Sequence, residues 1–146
     1  MDVSGAGSGI DISGDGGVIL ETKEPGNGVR PEPGMIVFVQ YTGRLTNGTV
    51  FDATANKPHR KDIGFYFPLG MRAVIKGWDV GFQRMSVGEK ATLTLRYDYA
   101  YGEQGMQSSG IPPRATLVFD VELLDAKTMT AEELDELDER VDSLRQ

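Results

Sequence analysis

Few side chains in this sequence could do acid–base or nucleophilic chemistry. Cysteine is absent, and the single histidine, His59, lies in an expected loop among Lys57, Pro58, Arg60 and Lys61. These cations disfavour the imidazolium, and no serine forms a recognisable nucleophile motif with it. The remaining polar candidates are Asp52, directly after Phe51, and Tyr101. Taken singly, Asp52 is better explained as a turn or cap acceptor, so a histidine-dependent hydrolase is not expected.

The stretch from Asp98 to Leu123 indicates a different kind of site. Positions 117–123 alternate between apolar and mainly polar residues, which is typical of a strand with one face in the core. In the loop before it, Tyr101 and Ile111 come close to the inward ring of Phe119. A loop of this kind brings apolar groups to the rim of a sheet, so the sequence predicts an apolar pocket without a nucleophile.

The elements that must build this pocket follow from hydrophobic periodicity. Further strands are predicted at residues 18–20, 35–45, 50–51, 65–67 and 91–97, with a hairpin turn at Asn47-Gly48. One internal segment has helical spacing, with Val74, Ile75, Trp78 and Phe82 on a single stripe. The fold class is therefore α+β, an antiparallel sheet curled over one short helix, plus an acidic C-terminal helix.

Composition limits the organisation and the partners. The 146 residues, 39% of them apolar, suit one domain at 16–125, after a disordered Gly/Ser/Asp-rich arm at 1–15. A net charge of −7 argues against nucleic-acid binding, and no apolar run is long enough for a membrane span. With no leader-like start and no cysteine, the cytoplasm is the expected location. Neither a metal nor a cofactor is expected.

The tail, residues 126–146, predicts a separate acidic helix. Thr130 and Glu133 form a capping box, and Leu134, Leu137, Val141 and Leu144 make a 3-4-3 apolar seam. Two heptads are too short to be stable alone. Three outcomes stay open: the helix lies on its own domain, pairs with a partner, or frays. We expect a monomer.

Ten residues from nearly every element could converge on the pocket: Tyr41, Phe51, Asp52, Phe67, Val74, Ile75, Trp78, Tyr101, Ile111 and Phe119. The strings that carry them are Gln40–Gly43, Val50–Asp52, Phe67–Gly70, Val74–Asp79, Asp98–Gly102 and Ile111–Leu123. In this order, over about residues 16 to 125, they closely resemble the FKBP family, the macrolide-binding peptidyl-prolyl cis-trans isomerases.

The resemblance implies a half-barrel sheet around a short helix, with an apolar cleft between them. In the family pattern, Trp78 is the floor of this cleft, and its walls are Tyr41, Phe51, Phe67 and Phe119. Val74 and Ile75 open the helix, and the Ile75 backbone N–H binds a carbonyl of the substrate or drug. Ile111 closes the loop side. Catalysis is expected from the polar Asp52 and Tyr101 together with Phe51 and Trp78.

An apolar cleft can accelerate rotation about an Xaa-Pro bond without covalent chemistry. The barrier is about 20 kcal/mol because twisting the amide breaks its resonance. The planar amide is charge-separated and loses more from desolvation than the twisted form, so the barrier falls. The expected ligands are proline-containing peptides and proteins, and the resemblance adds the macrolides tacrolimus and rapamycin.

Two loops depart from the compact family pattern. Residues 53–64 are several residues longer and carry Lys57, His59, Arg60 and Lys61, and the 102–110 loop is also slightly longer. The resemblance implies a drug-dependent contact with the phosphatase calcineurin through the first loop, which this insertion puts in doubt. A non-enzymatic module that recruits a partner through the cleft or the acidic tail is the alternative function, and an oligomerising tail is a third.

Overall fold

The computed structural model describes residues 9–144, which form a seven-stranded antiparallel sheet and two helices. The strands are β1 (Ile10–Asp11), β2 (Val18–Glu24), β3 (Ile36–Leu45), β4 (Val50–Ala53), β5 (Phe65–Pro68), β6 (Lys90–Leu95) and β7 (Leu117–Lys127). The helices are α1 (Lys76–Phe82) and α2 (Ala131–Leu144). The predicted α+β class, with a sheet wrapped around one short helix and a helical tail, is confirmed. Neither helix is long and apolar enough to cross a bilayer.

The strand order is β1-β2-β6-β7-β3-β4, and β5 pairs with the first half of β3. The second half of β3 pairs with β4 across the predicted Asn47-Gly48 hairpin. Two short strands thus share one edge of β3, and the segment 54–64 between them leaves the sheet at that edge. This arrangement places residues of β4, β5 and the connecting segment around one end of the concave face.

Helix α1 packs against the concave face at short range because two of its residues are glycines. A Cβ on Gly77 would lie 2.6 Å from Cδ1 of Leu95, and one on Gly81 would lie 2.8 Å from Cδ1 of Leu93. These small residues let the helix backbone approach β6, while Trp78 and Phe82 are buried in the core. Trp78 and Phe82, two of the four residues of the predicted stripe, therefore form the packed face of α1, whereas Val74 and Ile75 precede the helix.

Helix α2 docks on the opposite face of the sheet. Leu137 and Val141, 8% and 2% exposed, form a second apolar cluster with Ile36 and Phe38, the outward-facing residues at the start of β3. Its capping box is present, since the Glu133 N–H donates to Thr130 Oγ1 at 3.1 Å. Of the three outcomes for the seam, the structure shows docking on its own domain. Leu144 at the end of the seam stays exposed.

The disordered arm was predicted to cover residues 1–15, but the structure shows residues 10–15 ordered. Residues 1–8 lie outside the described part of the chain, but Ile10–Asp11 pair with β2 as a strand. The following turn is held by two carboxylates: Asp11 accepts the Gly16 N–H at 2.8 Å, and Asp15 accepts the Tyr99 hydroxyl at 2.8 Å. Backbone and side-chain hydrogen bonds therefore order residues 10–15, although their Gly/Ser/Asp composition is typical of a mobile segment.

Candidate functional site

A cavity of about 320 Å³ lies between the concave face of the sheet, the start of α1 and the 52–65 segment. Its lining residues are Tyr41, Phe51, Asp52, Lys57, Phe65, Ala73, Val74, Ile75, Trp78, Tyr101 and Phe119. Eight of the ten predicted site residues are among them. The other two, Phe67 and Ile111, are 3% and 1% exposed and belong to the core. Phe67 supports the floor from behind, with its ring 5.8 Å from that of Trp78.

The cavity floor is a cluster of aromatic rings centred on Trp78. Its indole lies 4.8 Å from the Tyr41 ring and 5.3 Å from the Phe119 ring, both close to perpendicular. Phe65 and Phe82 add edge contacts at 5.9 and 5.5 Å. Edge-to-face pairs of this kind fix ring positions as well as burying area. The floor is therefore rigid and apolar, a surface suited to a compact ring such as pyrrolidine.

The wall formed by Phe51 and Phe119 depends on a glycine in β3. The two rings stand 5.6 Å apart at 87°. A Cβ on Gly43 would lie 2.7 Å from atoms of both rings, which no real side chain tolerates. Gly43 therefore leaves the space in which the two rings meet.

The polar end of the cavity is a three-residue network. The Tyr41 hydroxyl donates to Asp52 Oδ2 at 2.5 Å, and Lys57 Nζ lies 2.7 Å from Asp52 Oδ1. Lys57 also donates to Tyr41 Oη at 3.2 Å. Asp52 thus has a donor on each carboxylate oxygen and is fixed in orientation. Tyr101 completes this end, and its half-buried side chain lies in the electrostatic field of Asp52.

This network shifts the titration of its members in opposite directions. Partial burial raises the pKa of the Asp52 carboxyl, but the hydrogen bonds from Lys57 and Tyr41 outweigh it, so the pKa lies below its ordinary value. Burial and the bond to Asp52 raise the pKa of Tyr41 far above its ordinary value. Burial also raises the pKa of Tyr101. At neutral pH the site therefore holds one carboxylate and two protonated phenols.

Removing one donor should move the titration of Asp52 measurably. In Tyr41→Phe we expect the Asp52 pKa to rise toward its ordinary value of about 4. A folded-state pKa below the unfolded value means that ionised Asp52 stabilises the fold above the unfolded pKa. This stabilisation is lost as the pH falls through the folded pKa. Carbon-13 NMR titration of the carboxyl measures the shift. Tyr97→Phe, outside the cavity, is the control, and an Asp52 curve that is the same in both variants would contradict the network.

The loop before α1 is held by a buried carboxylate that sequence reasoning did not assign. Asp79 accepts the Gly70 N–H at 2.9 Å and the Arg72 N–H at 3.0 Å. The loop reaches α1 through Val74 and Ile75. The Ile75 backbone is extended (ψ 148°), so the helix begins at Lys76, later than predicted. Asp79 thereby fixes the segment that carries these two residues to the cavity.

Three lining residues were missed as site residues. Phe65 could have been found, since it lies two residues before Phe67 and must share its face of β5. Ala73 carries only a methyl side chain, which gives no sequence signal for a site residue. Lys57 has no sequence signal as a site residue, because it reaches Asp52 through the fold of the 54–60 segment, two short 3₁₀ turns. His59 belongs to the second of these turns but does not line the cavity.

The lining of this cavity, within residues 9–144, includes no serine, threonine, cysteine or histidine side chain. No group of three or more histidine, aspartate or glutamate side chains in the same range is placed to hold a metal. The arrangement can enclose an apolar group on aromatic rings and offer donors and an acceptor at one end. This is the geometry of a non-covalent binding site.

Comparison with known proteins agrees with this geometry. Residues 28–124 match the family described as FKBP-type peptidyl-prolyl cis-trans isomerase. The chain is 48% identical over 109 residues to FK506-binding protein 1A of Aspergillus fumigatus, covering 74% of this chain and 93% of the relative. It is 46% identical over 111 residues to FK506-binding protein 1 of Saccharomyces cerevisiae, covering 75% and 93%.

A solved structure also matches, that of a peptidyl-prolyl cis-trans isomerase from Pseudomonas syringae. The TM-score is 0.70 and the identity 31%, with 83% of this chain and 82% of the other covered. The fold and the aromatic cavity thus define a peptidyl-prolyl cis-trans isomerase. Within that class, the chain belongs to the FKBP family.

Proposed function

We propose that this protein accelerates rotation about Xaa-Pro bonds by holding the imide, in a twisted geometry, in the cavity over Trp78. The observation that carries this proposal is an aromatic cavity of about 320 Å³. Among its lining residues within 9–144, only Asp52 and Lys57 have acidic or basic side chains, and these two form an ion pair at one end. Proline fits such a site through its ring. The peptide bond before the proline then lies among apolar groups, which solvate it less well than water does.

The energetic argument concerns the change of charge separation during rotation. The planar imide carries a dipole that water stabilises, and the twisted imide carries less, so a dry site destabilises the planar form relative to the transition state. A barrier lower by about 5 kcal/mol corresponds to between three and four decades in rate. No proton transfer or covalent step is needed. Phe51 and Trp78 hold the pyrrolidine, and Asp52 and Tyr101 orient the chain by hydrogen bonds.

The backbone N–H of Ile75 is the proposed donor to a carbonyl of the bound peptide. Ile75 lines the cavity at the start of α1, with an extended backbone. The same donor and the aromatic floor would hold the macrolides tacrolimus and rapamycin. Titration of either drug while recording the fluorescence of Trp78, the sole tryptophan, measures this directly. No change in emission at saturating drug would reject macrolide binding.

The test of the isomerase proposal is NMR exchange spectroscopy on a peptide with one Xaa-Pro bond. The cis and trans signals should exchange far faster with catalytic amounts of protein than without it. Uncatalysed rates with protein whose fold is verified by its NMR spectrum would overturn the proposal. They would leave the non-enzymatic partner-recruiting module as the function, acting through the cleft or the acidic face of α2.

Tyr101→Phe should distinguish the contribution of the Tyr101 hydroxyl to kcat/KM from that of its ring. If the hydroxyl donates a hydrogen bond to the bound peptide, its loss costs about 0.5–1.5 kcal/mol, or roughly two- to tenfold in kcat/KM. The ring contacts and the fold should persist. Tyr97→Phe is again the matched control, because Tyr97 does not line the cavity. An unchanged kcat/KM in Tyr101→Phe would remove the orienting role from this hydroxyl.

We further propose that the protein acts in the cytoplasm on proline-containing polypeptides as a folding helper, and as a monomer. The docking of α2 supports the monomer, because Leu137 and Val141 are buried within one chain. A contact with calcineurin through the drug-bound face is doubtful, because the 53–64 segment is longer than in the family pattern. Its Lys57 forms an ion pair with Asp52.

A further inference from the structure

Strand β5 connects the cavity to the C-terminal helix through two consecutive residues. Because side chains alternate along a strand, Phe65 faces the cavity and Tyr66 faces the opposite side. Phe65 contacts the floor, with its ring 5.9 Å from Trp78 and 6.2 Å from Tyr41. Tyr66 packs with Phe38 in the cluster that α2 covers. A shift of β5 would therefore change both the cavity wall and the apolar cluster that α2 covers.

Arg60 spans these two residues. Its guanidinium carbon lies 5.5 Å from the centre of the Phe65 ring and 4.8 Å from that of Tyr66. Its backbone is also tied, since its N–H donates to the Lys57 carbonyl at 2.8 Å and its carbonyl accepts the Gly64 N–H at 2.8 Å. One side chain thus contacts a cavity wall and a docking residue while its backbone closes the turn that carries Lys57. Cation–π contacts attract the charge to both rings.

Helix α2 holds the outer end of this connection. The Tyr66 hydroxyl donates to Asp138 Oδ1 at 2.5 Å, a short bond to a charged acceptor. Burial and this bond raise the pKa of Tyr66 to about 12. Asp138 lies between Leu137 and Val141 in sequence, and these two residues anchor the helix on β3. The position of the Tyr66 ring is thus set from the helix.

We propose that α2 positions the cavity wall through Asp138, Tyr66 and Arg60, and that these three are positioning residues for ligand binding at Phe65. The tail then belongs to the binding apparatus although none of its residues lines the cavity. The effect on ligand affinity rests on the isomerase function proposed above, whereas the effect on the empty cavity does not. Substitutions within such a connection change coupling by roughly two- to thirtyfold.

The test uses the full chain and point variants of the Tyr66–Asp138 bond. Tyr66→Phe and Asp138→Ala each remove the bond, while Asp138→Asn keeps a carbonyl oxygen that can accept it. Asp135→Ala is the matched control, an exposed acid one turn earlier on α2. The readouts are the single indole N–H signal of Trp78 and the Phe65 ring signals in the ligand-free protein, the KM for an Xaa-Pro peptide, and the melting temperature.

We expect Tyr66→Phe and Asp138→Ala to shift the Trp78 and Phe65 signals and to raise KM about three- to tenfold, with kcat nearly unchanged. Asp138→Asn and Asp135→Ala should match the wild type. The double variant should equal either single variant, because both remove one bond. A helix that only adds stability would lower the melting temperature without moving these signals, and that result would overturn the proposal.

Failure of the proposed function has a different signature. A wild-type protein that does not accelerate exchange would reject the isomerase proposal, while the NMR shifts in Tyr66→Phe would still support the connection. Shifted signals with an unchanged KM would show that the connection exists but does not affect the ligand, which overturns the positioning role.

Discussion

Replacing Trp78 with alanine is expected to lower the free energy of unfolding by about 3–5 kcal/mol, the usual range for a buried tryptophan. The indole is 5% exposed and contacts five other rings, so its removal leaves a hole at the centre of the aromatic cluster. The same change removes the cavity floor. Losing about 3 kcal/mol of contact in the transition state corresponds to a fall of more than a hundredfold in kcat/KM. Chemical denaturation and the exchange assay measure the two effects.

Trp78→Phe is the matched control. It keeps a ring on the floor and removes Nε1, a buried donor with no hydrogen-bond acceptor within residues 9–144. An unpaired buried donor is unfavourable. Its removal therefore offsets part of the stability that is lost with the smaller ring. We expect a clearly smaller loss of stability than in the alanine variant and partial retention of activity. Equal activity in Trp78→Ala and the wild type would show that the floor does not contribute to catalysis.

The sequence could predict which residues come together at the site, because the strand and helix periods determine which residues share a face. The alternation in β3 and β7 places Tyr41 and Phe119 inward, and the stripe on α1 places Trp78 opposite them. Depth within the core is not encoded in the same way. Phe67 and Ile111 have the right face and the right neighbours, but they are buried in the core and do not line the cavity.

The docking of α2 could not be settled from the seam itself, because a helix that lies on its own domain and one that pairs with a partner show the same spacing. The deciding signal lies elsewhere in the chain. The start of β3 reads Ile36, Val37, Phe38, Val39, a continuous apolar run that indicates burial on both faces. The outward members of this run, Ile36 and Phe38, are the surface that α2 covers.

The second large effect is expected from Val141→Asp. Val141 is 2% exposed in the apolar cluster with Ile36 and Phe38, and a carboxylate there has no partner to offset its loss of hydration. Helix α2 should therefore detach. The burial of Leu137 and Val141 is worth at most about 3–6 kcal/mol together, so the variant should lose a few kcal/mol in the free energy of unfolding. A detached 14-residue helix is marginal in water and should melt.

Far-UV circular dichroism and hydrogen exchange across residues 131–144 test this expectation, with Leu144→Asp as the control on the same seam. Leu144 is 57% exposed, so its change should leave the protection of the helix near wild type. The main core, built around Val37, Val39 and Phe82, is a separate cluster and should remain folded in both variants. Full protection of α2 in Val141→Asp would show that the seam does not hold the helix. Loss of protection together with a shifted Trp78 signal would indicate that the tail is coupled to the cavity wall through Tyr66.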